Sequence, residues 1–219
     1  MSLLKKGAEA NLLLENFADV LHFACEKKVL VKHRIPKDYR VKGLDLNLRS
    51  SRTALEAKLI VDAKRAGVPT PVVYEVDRVG MRIVMEYVKG EQVKKLLEDM
   101  DPSDRRKLCE LIGKQIARLH KAGIIHGDLT TSNMIRTPEG KVYFIDFGLG
   151  EYDRSRESRG TDLHLLHRTL QSSHFNVADE SFKAVLDGYK CELGKVAGEI
   201  VQRVKKIERR GRYISKEKR

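Results

Sequence analysis

The chain has 219 residues, 41% of them hydrophobic and 34% charged, with a formal net charge of +12. That length suits one large domain or two small lobes around a real core. No stretch approaches the roughly 18 apolar residues of a membrane span, and Met1-Ser2-Leu3-Leu4-Lys5-Lys6 turns polar at once, against a secretory signal. Three cysteines, Cys25, Cys109 and Cys191, are odd in number and outside metal-ligand spacing, so a reducing cytoplasmic compartment is expected. The basic excess suits an anionic partner, nucleic acid or an acidic protein surface, without choosing between them.

Residues 1–42 read as β-rich. Three apolar runs, Ala10–Leu14, Val20–Ala24 and Val29–His33, are separated by short polar linkers and suggest antiparallel strands. Lys32 follows Val29-Leu30-Val31, the position from which a strand lysine reaches nucleotide phosphates in a V-A-I-K pattern. Taken alone it reads first as a solvated lysine on an edge strand, and it is the downstream motif that turns the preference to the phosphate-binding reading. The stretch Lys6-Gly7-Ala8-Glu9-Ala10 offers a single glycine, a weak phosphate-turn signal, although Gly7 permits dihedrals that bring backbone N–H groups close to an anion.

A helix is expected from Ser50 to about Ala66, stopping at Gly67, with Leu55, Leu59, Ile60 and Ala63 as its apolar stripe. Glu56 on it has two readings. It can fold back on Thr53 as a capping box, or face Lys32 if the helix is capped nearer Ser50. After the stiff connector Val68-Pro69-Thr70-Pro71, the runs Val72–Val76 and Met81–Tyr87 make two strands across a turn at Asp77–Gly80. Met85-Glu86-Tyr87-Val88-Lys89-Gly90 is placed, by position only, where main chain around Glu86 would hold a purine. Beyond it the period turns helical, over Gln92–Met100 and Ser103–Ala122, the second opening at Asp101-Pro102-Ser103. His120 reads as a structural residue near that helix end.

The strongest signal is His126-Gly127-Asp128 with Asn133 five residues on, and Asp146-Phe147-Gly148 thirteen residues after that. It matches H-x-D-x-x-x-x-N followed by D-F-G. Met134–Arg136 and Val142–Ile145 flank the turn chemistry of Thr137-Pro138-Glu139-Gly140, so a hairpin returns Asp146 to the level of Asn133. Two oxygen donors there suit Mg²⁺, which takes few protein ligands. Asp128 can receive or orient a substrate hydroxyl. After Gly148 the chain is polar, a helix begins near Asp162, and no A-P-E sequence appears. Asp162 can either fix the backbone near His126 or serve as a plain helix N-terminal charge.

Gly7-Ala8-Glu9-Ala10, the string from Ile125 to Asn133, Phe144–Gly150 and the terminal Arg209-Arg210-Gly211-Arg212 together resemble the PRPK family of small atypical kinases of the KEOPS complex. The resemblance spans essentially the whole chain. It implies an α+β, minimal bilobal protein-kinase-like fold, with a β-rich N-lobe over residues 1–88, a helical C-lobe over 89–202 and a basic tail over 203–219. It further implies binding of ATP and Mg²⁺, serine/threonine autophosphorylation, and ATP hydrolysis supporting threonylcarbamoyladenosine formation on tRNA. Implied partners are a threonylcarbamoyl-transferase subunit and a small regulatory subunit. On this resemblance Asp128 is the catalytic acid/base, Asn133 and Asp146 are metal ligands, and Lys32, Glu56, Gly7 and Glu86 belong to the nucleotide site. His126-Gly127-Asp128 also suits an aminoglycoside-type small-molecule phosphotransferase, although the roughly 70 residues after Asp146 leave little room for the larger substrate lobe such enzymes use. A binding module with a dead site is disfavoured by the intact Lys32, Asp128, Asn133 and Asp146. The tail carries nine basic residues against two acidic ones, a tRNA-phosphate contact or simply a solvated, fraying helix end.

Overall fold

Antiparallel strand pairing organises the first part of the molecule. The structure, a computed structural model, describes residues 2–7, 9–21 and 26–214, with side chains of the final helix as far as Arg209. Strands β1 (Ser2–Lys6), β2 (Ala10–Asn16), β3 (Lys28–Arg34), β4 (Val73–Asp77) and β5 (Arg82–Glu86) form one antiparallel sheet in the order β1-β2-β3-β5-β4. Along β3 the side chains alternate between faces. Val29 and Val31 join Val84 in a small apolar cluster, covered by Phe17, Val20 and Leu21 of α1 (Phe17–Leu21). Lys32 and Arg34 occupy the opposite face, and both are buried.

The 24-residue helix α2 (Lys42–Arg65) packs on that second face. Leu59, Ile60 and Ala63 carry the apolar part of its contact. Sequence reasoning placed its start at Ser50, eight residues late. The reason is physical: the inward side of its first half is Asp45 and Thr53, both buried, with Arg49 and Arg52 partly covered, so no apolar period announces it. The run Val20–Ala24, expected as a strand, is corrected in its first two residues, which end α1; His22–Cys25 lie outside the described residues, as does Ala8 of the phosphate turn. Strand β1 was not foreseen as an element. Lys5 and Lys6 within it obscure the alternation, while pairing with β2 supplies what composition does not.

Beyond Glu86 the chain is mostly helical. β6 (Glu91–Gln92) leads to α3 (Val93–Leu96), shorter than the expected Gln92–Met100 helix. α4 (Pro102–Lys121) opens with Asp101 accepting from the Ser103 N–H, as the Asp-Pro-Ser signal indicated. The motif region follows: β7 (Ile124–Ile125), the hairpin β8 (Met134–Arg136) and β9 (Val142–Phe144), and β10 (Glu151–Tyr152), which pairs with β7. Three helices complete this lobe: α5 (Arg156–Ser173), α6 (Ala178–Leu193) and α7 (Val196–Ile214).

Two glycines let α4 and α6 approach closely. A Cβ at Gly113 would overlap the Val185 carbonyl oxygen, and one at Gly188 the Glu110 carbonyl oxygen. The expected boundary at 202/203 falls inside α7. Ile200 and Val204 are buried across it, Arg203 pairs with Glu157 at 3.0 Å, and Glu208 with His167 at 2.7 Å. The start of the tail is thus a packed helix. Side chains of Arg210 and Arg212, and residues 215–219 with Lys216, Lys218 and Arg219, lie outside what is described.

Candidate active site

A cleft of about 590 Å³ lies between the sheet and the helical lobe. Leu12, Leu30, Met85, Ile135 and Ile145 give it apolar walls, and Lys32, Glu56, Asn133 and Asp146 lie at its polar end. Such a mixture, apolar walls with a few convergent polar groups, is what a nucleotide-sized ligand requires.

Lys32 is brought here by the register of β3 against β5, opposite Ile83. Its ammonium donates to Glu56 Oε1 at 2.6 Å and to Asp146 Oδ1 at 2.7 Å, the latter 114 positions away in the chain. Burial pushes this ammonium down, but the Glu56 and Asp146 carboxylates outweigh it and hold the pKa above the ordinary lysine value. Glu56 is buried and faces the strand, which decides between its two sequence readings: Thr53 donates instead to the Arg49 carbonyl of its own helix, at 2.7 Å. Sequence reasoning missed Arg34. Its Nη2 donates to Glu56 Oε2 at 2.5 Å, so one carboxylate holds two buried cations. Strand alternation from Lys32 could have found it, since i and i+2 share a face.

The hairpin performs as its turn chemistry predicts. Met134 pairs with Phe144, and Ile145 N–H donates to the Asn133 carbonyl at 3.0 Å, leaving Asn133 and Asp146 at the open end. Asn133 Nδ2 donates to both the Asp128 carbonyl (2.9 Å) and Asp128 Oδ2 (2.8 Å). This commits the amide nitrogen to Asp128 and turns the amide oxygen free as an acceptor. Asp146 has φ 62°, left-handed for a non-glycine residue, and its Oδ1 also accepts from Gly148 N–H at 3.2 Å. Burial raises the Asp146 carboxyl, yet Lys32 and that N–H together hold it below the usual carboxylate range. Asn133 oxygen and Asp146 carboxylate make a hard, oxygen-only donor pair. That chemistry fits Mg²⁺, whose remaining positions are filled by water and phosphate. Among the described residues no cluster of three His, Cys, Asp or Glu side chains suits a metal ion.

A buried frame fixes the loop carrying Asp128. Asp162, at the first third of α5, accepts from the His126 N–H (2.8 Å) and the Gly127 N–H (2.9 Å). His120 Nε2 donates to the same carboxylate at 3.3 Å, and His120 Nδ1 accepts from the Tyr189 hydroxyl at 2.9 Å. Asp162 is therefore the loop scaffold, and Tyr189 extends the frame in a way the sequence did not announce. Burial raises the Asp162 carboxyl, but His120, His126 and the donated N–H outweigh it, leaving it below its ordinary value. His126 is fully buried, which pushes its pKa down and keeps it neutral. Its Nε2 donates to the Ile145 carbonyl at 3.1 Å, while Nδ1 accepts from the Asp128 N–H at 3.3 Å. The ring thus ties the Asp128 loop to the strand leading into Asp146.

The two remaining expected site residues differ in placement. Gly7 sits between β1 and β2, its N–H donating to the Ala10 carbonyl at 3.0 Å; a Cβ there would come within 2.7 Å of that oxygen, so the turn needs glycine. Glu86 lines the cleft, but both its N–H and its carboxylate are engaged with Val72, at 2.8 and 3.0 Å.

A family model described as a RIO domain matches residues 22–155. The KEOPS complex subunit Bud32 of Pyrococcus abyssi is 50% identical over 214 residues, covering 97% of this chain and 96% of that protein. A probable serine/threonine-protein kinase BUD32 homolog of Archaeoglobus fulgidus is 42% identical over 87% of this chain and 91% of its own. A probable bifunctional tRNA threonylcarbamoyladenosine biosynthesis protein of Methanobrevibacter smithii is 41% identical, and this chain spans 37% of its length. Among solved structures, the Rio2 kinase of Chaetomium thermophilum in its ADP/Mg²⁺-phosphoaspartate complex aligns with a TM-score of 0.62 at 16% identity, covering 94% of this chain and 70% of that one. That likeness establishes the bilobal kinase-like fold.

Proposed function

The chain belongs to the Bud32 family of RIO-domain proteins, and from that premise we propose that it is a Mg-ATP-dependent serine/threonine kinase and ATPase, the kinase subunit of a KEOPS-type tRNA-modifying assembly. The observation that carries the catalytic part is the Lys32 ammonium held by both Glu56 and Asp146 at the polar end of the cleft, with Asp128 and Asn133 beside it. Lys32, fixed by Glu56, is poised to bind nucleotide phosphate oxygens. Asn133 and Asp146 would hold Mg²⁺, which supplies charge neutralisation to the phosphates when bound. Asp128, oriented by Asn133, places an acceptor hydroxyl or water in line with the terminal phosphate and takes its proton. The apolar walls receive the base, the Glu86 carbonyl is its hydrogen-bond acceptor, and Gly7 lets the turn close over the phosphates.

The relatives' names, kinase and tRNA threonylcarbamoyladenosine biosynthesis, favour this reading over an aminoglycoside-type phosphotransferase. The KEOPS name supports partnership with other subunits of such a complex; as those partners we propose a threonylcarbamoyl-transferase subunit and a small regulatory subunit, with tRNA as the nucleic acid handled. Among the described residues no helix is long and apolar enough to cross a membrane. For tRNA, the exposed Lys205, Lys206 and Arg209 of α7 are the candidate phosphate contacts. Exchanging these three for glutamine should flatten the salt dependence of tRNA binding by the assembly without removing the packed part of the helix. The test of the catalytic reading is radiolabelled ATP turnover by the purified chain, alone and with tRNA and the transferase partner. Asp146→Ala should abolish hydrolysis and autophosphorylation, and Asp128→Ala should block turnover while nucleotide still binds. Full phosphate transfer by Asp128→Ala would show that the loop has been misread.

A further inference from the structure

The phosphate turn has one required glycine and no glycine-rich sequence, so something other than glycine-supplied backbone geometry must set its position. The residue after the undescribed Ala8 is Glu9. Both its carboxylate oxygens accept from Arg52 Nη1, at 2.8 and 2.7 Å, and Oε2 lies 3.5 Å from Arg34 Nη1. Its carbonyl accepts from the Ile35 N–H at 3.3 Å. The turn is therefore fastened from two sides, to α2 through its side chain and to the end of β3 through its backbone.

Arg52 is one member of a series. Asp45, Arg49, Arg52 and Glu56 follow each other along α2 at spacings of four, three and four, which aligns them on one helical stripe. Arg49, Arg52 and Glu56 each meet a charge or carbonyl on β3 or the turn before β2, whereas Asp45 is held at 2.6 Å by Arg49 of its own helix and reaches only the loop between β3 and α2. Asp45 pairs with Arg40 at 3.5 Å, Arg49 donates to the Arg34 carbonyl at 3.3 Å, Arg52 takes Glu9, and Glu56 takes Lys32 and Arg34. Arg34 closes the circuit, because its two terminal nitrogens reach Glu56 and Glu9. The carboxylate that orients the phosphate-binding lysine and the one that anchors the phosphate turn are thus held by one guanidinium and one helix face.

We infer that Glu9 and Arg52 form a positioning clasp, which registers the turn over the nucleotide phosphates and makes its placement depend on α2. Neither residue touches the reacting atoms. Their ion pair fixes a turn that a glycine-rich sequence would otherwise shape, and Arg34 couples it to the Glu56–Lys32 pair. This rests on the nucleotide reading given above.

Steady-state ATP hydrolysis by the full chain, with MgATP as the varied substrate, tests it. Glu9→Gln should raise KM roughly five-fold with kcat held within about two-fold, because a half-exposed, charge-assisted contact that sets ground-state placement is lost. Arg52→Gln should do the same, and the double variant should be no worse than either single one, since both remove one interaction. Arg52→Lys should restore most of the wild-type KM. An unchanged KM in Glu9→Gln beside a saturable wild type overturns the clasp. So does strict additivity in the double variant, or a parallel fall of KM, kcat and melting temperature that marks a purely structural role. A wild-type chain without saturable MgATP turnover overturns the nucleotide reading and the clasp with it.

Discussion

The two longest helices in the fold are held in opposite ways. α2 meets the sheet along a stripe of charges from Asp45 to Glu56, in which Arg49, Arg52 and Glu56 find partners on the turn or strand and Asp45 is held by Arg49 and by Arg40 of the preceding loop. α4 crosses α6 with Gly113 against Val185 and Gly188 against Glu110, two positions where a side chain would force the backbones apart, and His120 bonded to Tyr189. A seam of ion pairs has its strength set by ionic surroundings and can trade partners. A close-packed helix crossing has one arrangement and loses contacts outright when disturbed. The loop carrying Asp128 is mounted on the second kind of contact, and Lys32 with Glu56 on the first.

The largest effect should come from filling the crossing. Gly188→Val puts branched carbon where the Glu110 carbonyl already lies, at a cost on the order of 3 kcal/mol or more. Thermal unfolding should then fall by roughly 6–12 °C for a chain of this size, and an unshifted midpoint would refute the tight crossing. Next is Glu56→Gln in the seam. It leaves Lys32 and Arg34 buried without their shared countercharge, and should cost about 2 kcal/mol of stability. ATP turnover should drop on the order of 100-fold, because Lys32 loses its orientation. If activity survives, the seam does not support the site.

A smaller effect marks where the apolar lobe does carry charge. His126 and Asp162 both have folded-state pKa values below their ordinary ones. The native state therefore binds fewer protons than the unfolded chain, and stability rises with pH. The His126 contribution is complete above about pH 6.5 and fades as pH falls below it; that of Asp162 begins to fade near pH 4. The melting temperature should thus be lower at pH 5.5 than at pH 7.5, and a flat profile would contradict the buried neutral imidazole. The smallest effect separates the two contacts by salt. Raising NaCl from about 0.05 to 0.5 M should speed amide exchange in the first half of α2 by a factor of about two, while α4 and α6 stay unchanged. Equal responses would erase the distinction.

The same division explains what could be read in advance. The hairpin, Asp128, Asn133, Asp146 and the α4 start were all visible, because turn residues, caps and apolar periods leave local marks. The fold class followed from them. Glu56 had two local readings, and only burial against Lys32 decided between them. Arg34 and the start of α2 at Lys42 stayed hidden, since a charged stripe facing charged partners looks in one dimension like an exposed surface. The tail misled in the converse way: Ile200, Val204 and Ile207 continue a helical period into residues whose charge suggested a free end. Tyr189 closes its contact with His120 over 69 positions, a separation at which no local pattern operates.

Asp146 sits at φ 62°, a conformation that most L-residues reach only at a cost of about 1–2 kcal/mol and that asparagine, aspartate and glycine tolerate best. The same position must carry a negative charge to meet Lys32. One filter is steric and passes three residue types; the other is electrostatic and passes two, aspartate and glutamate. Their intersection is a single amino acid. In a saturation library sorted separately for folding and for turnover, this codon should yield a small tolerant set in the first sort and aspartate alone in the second.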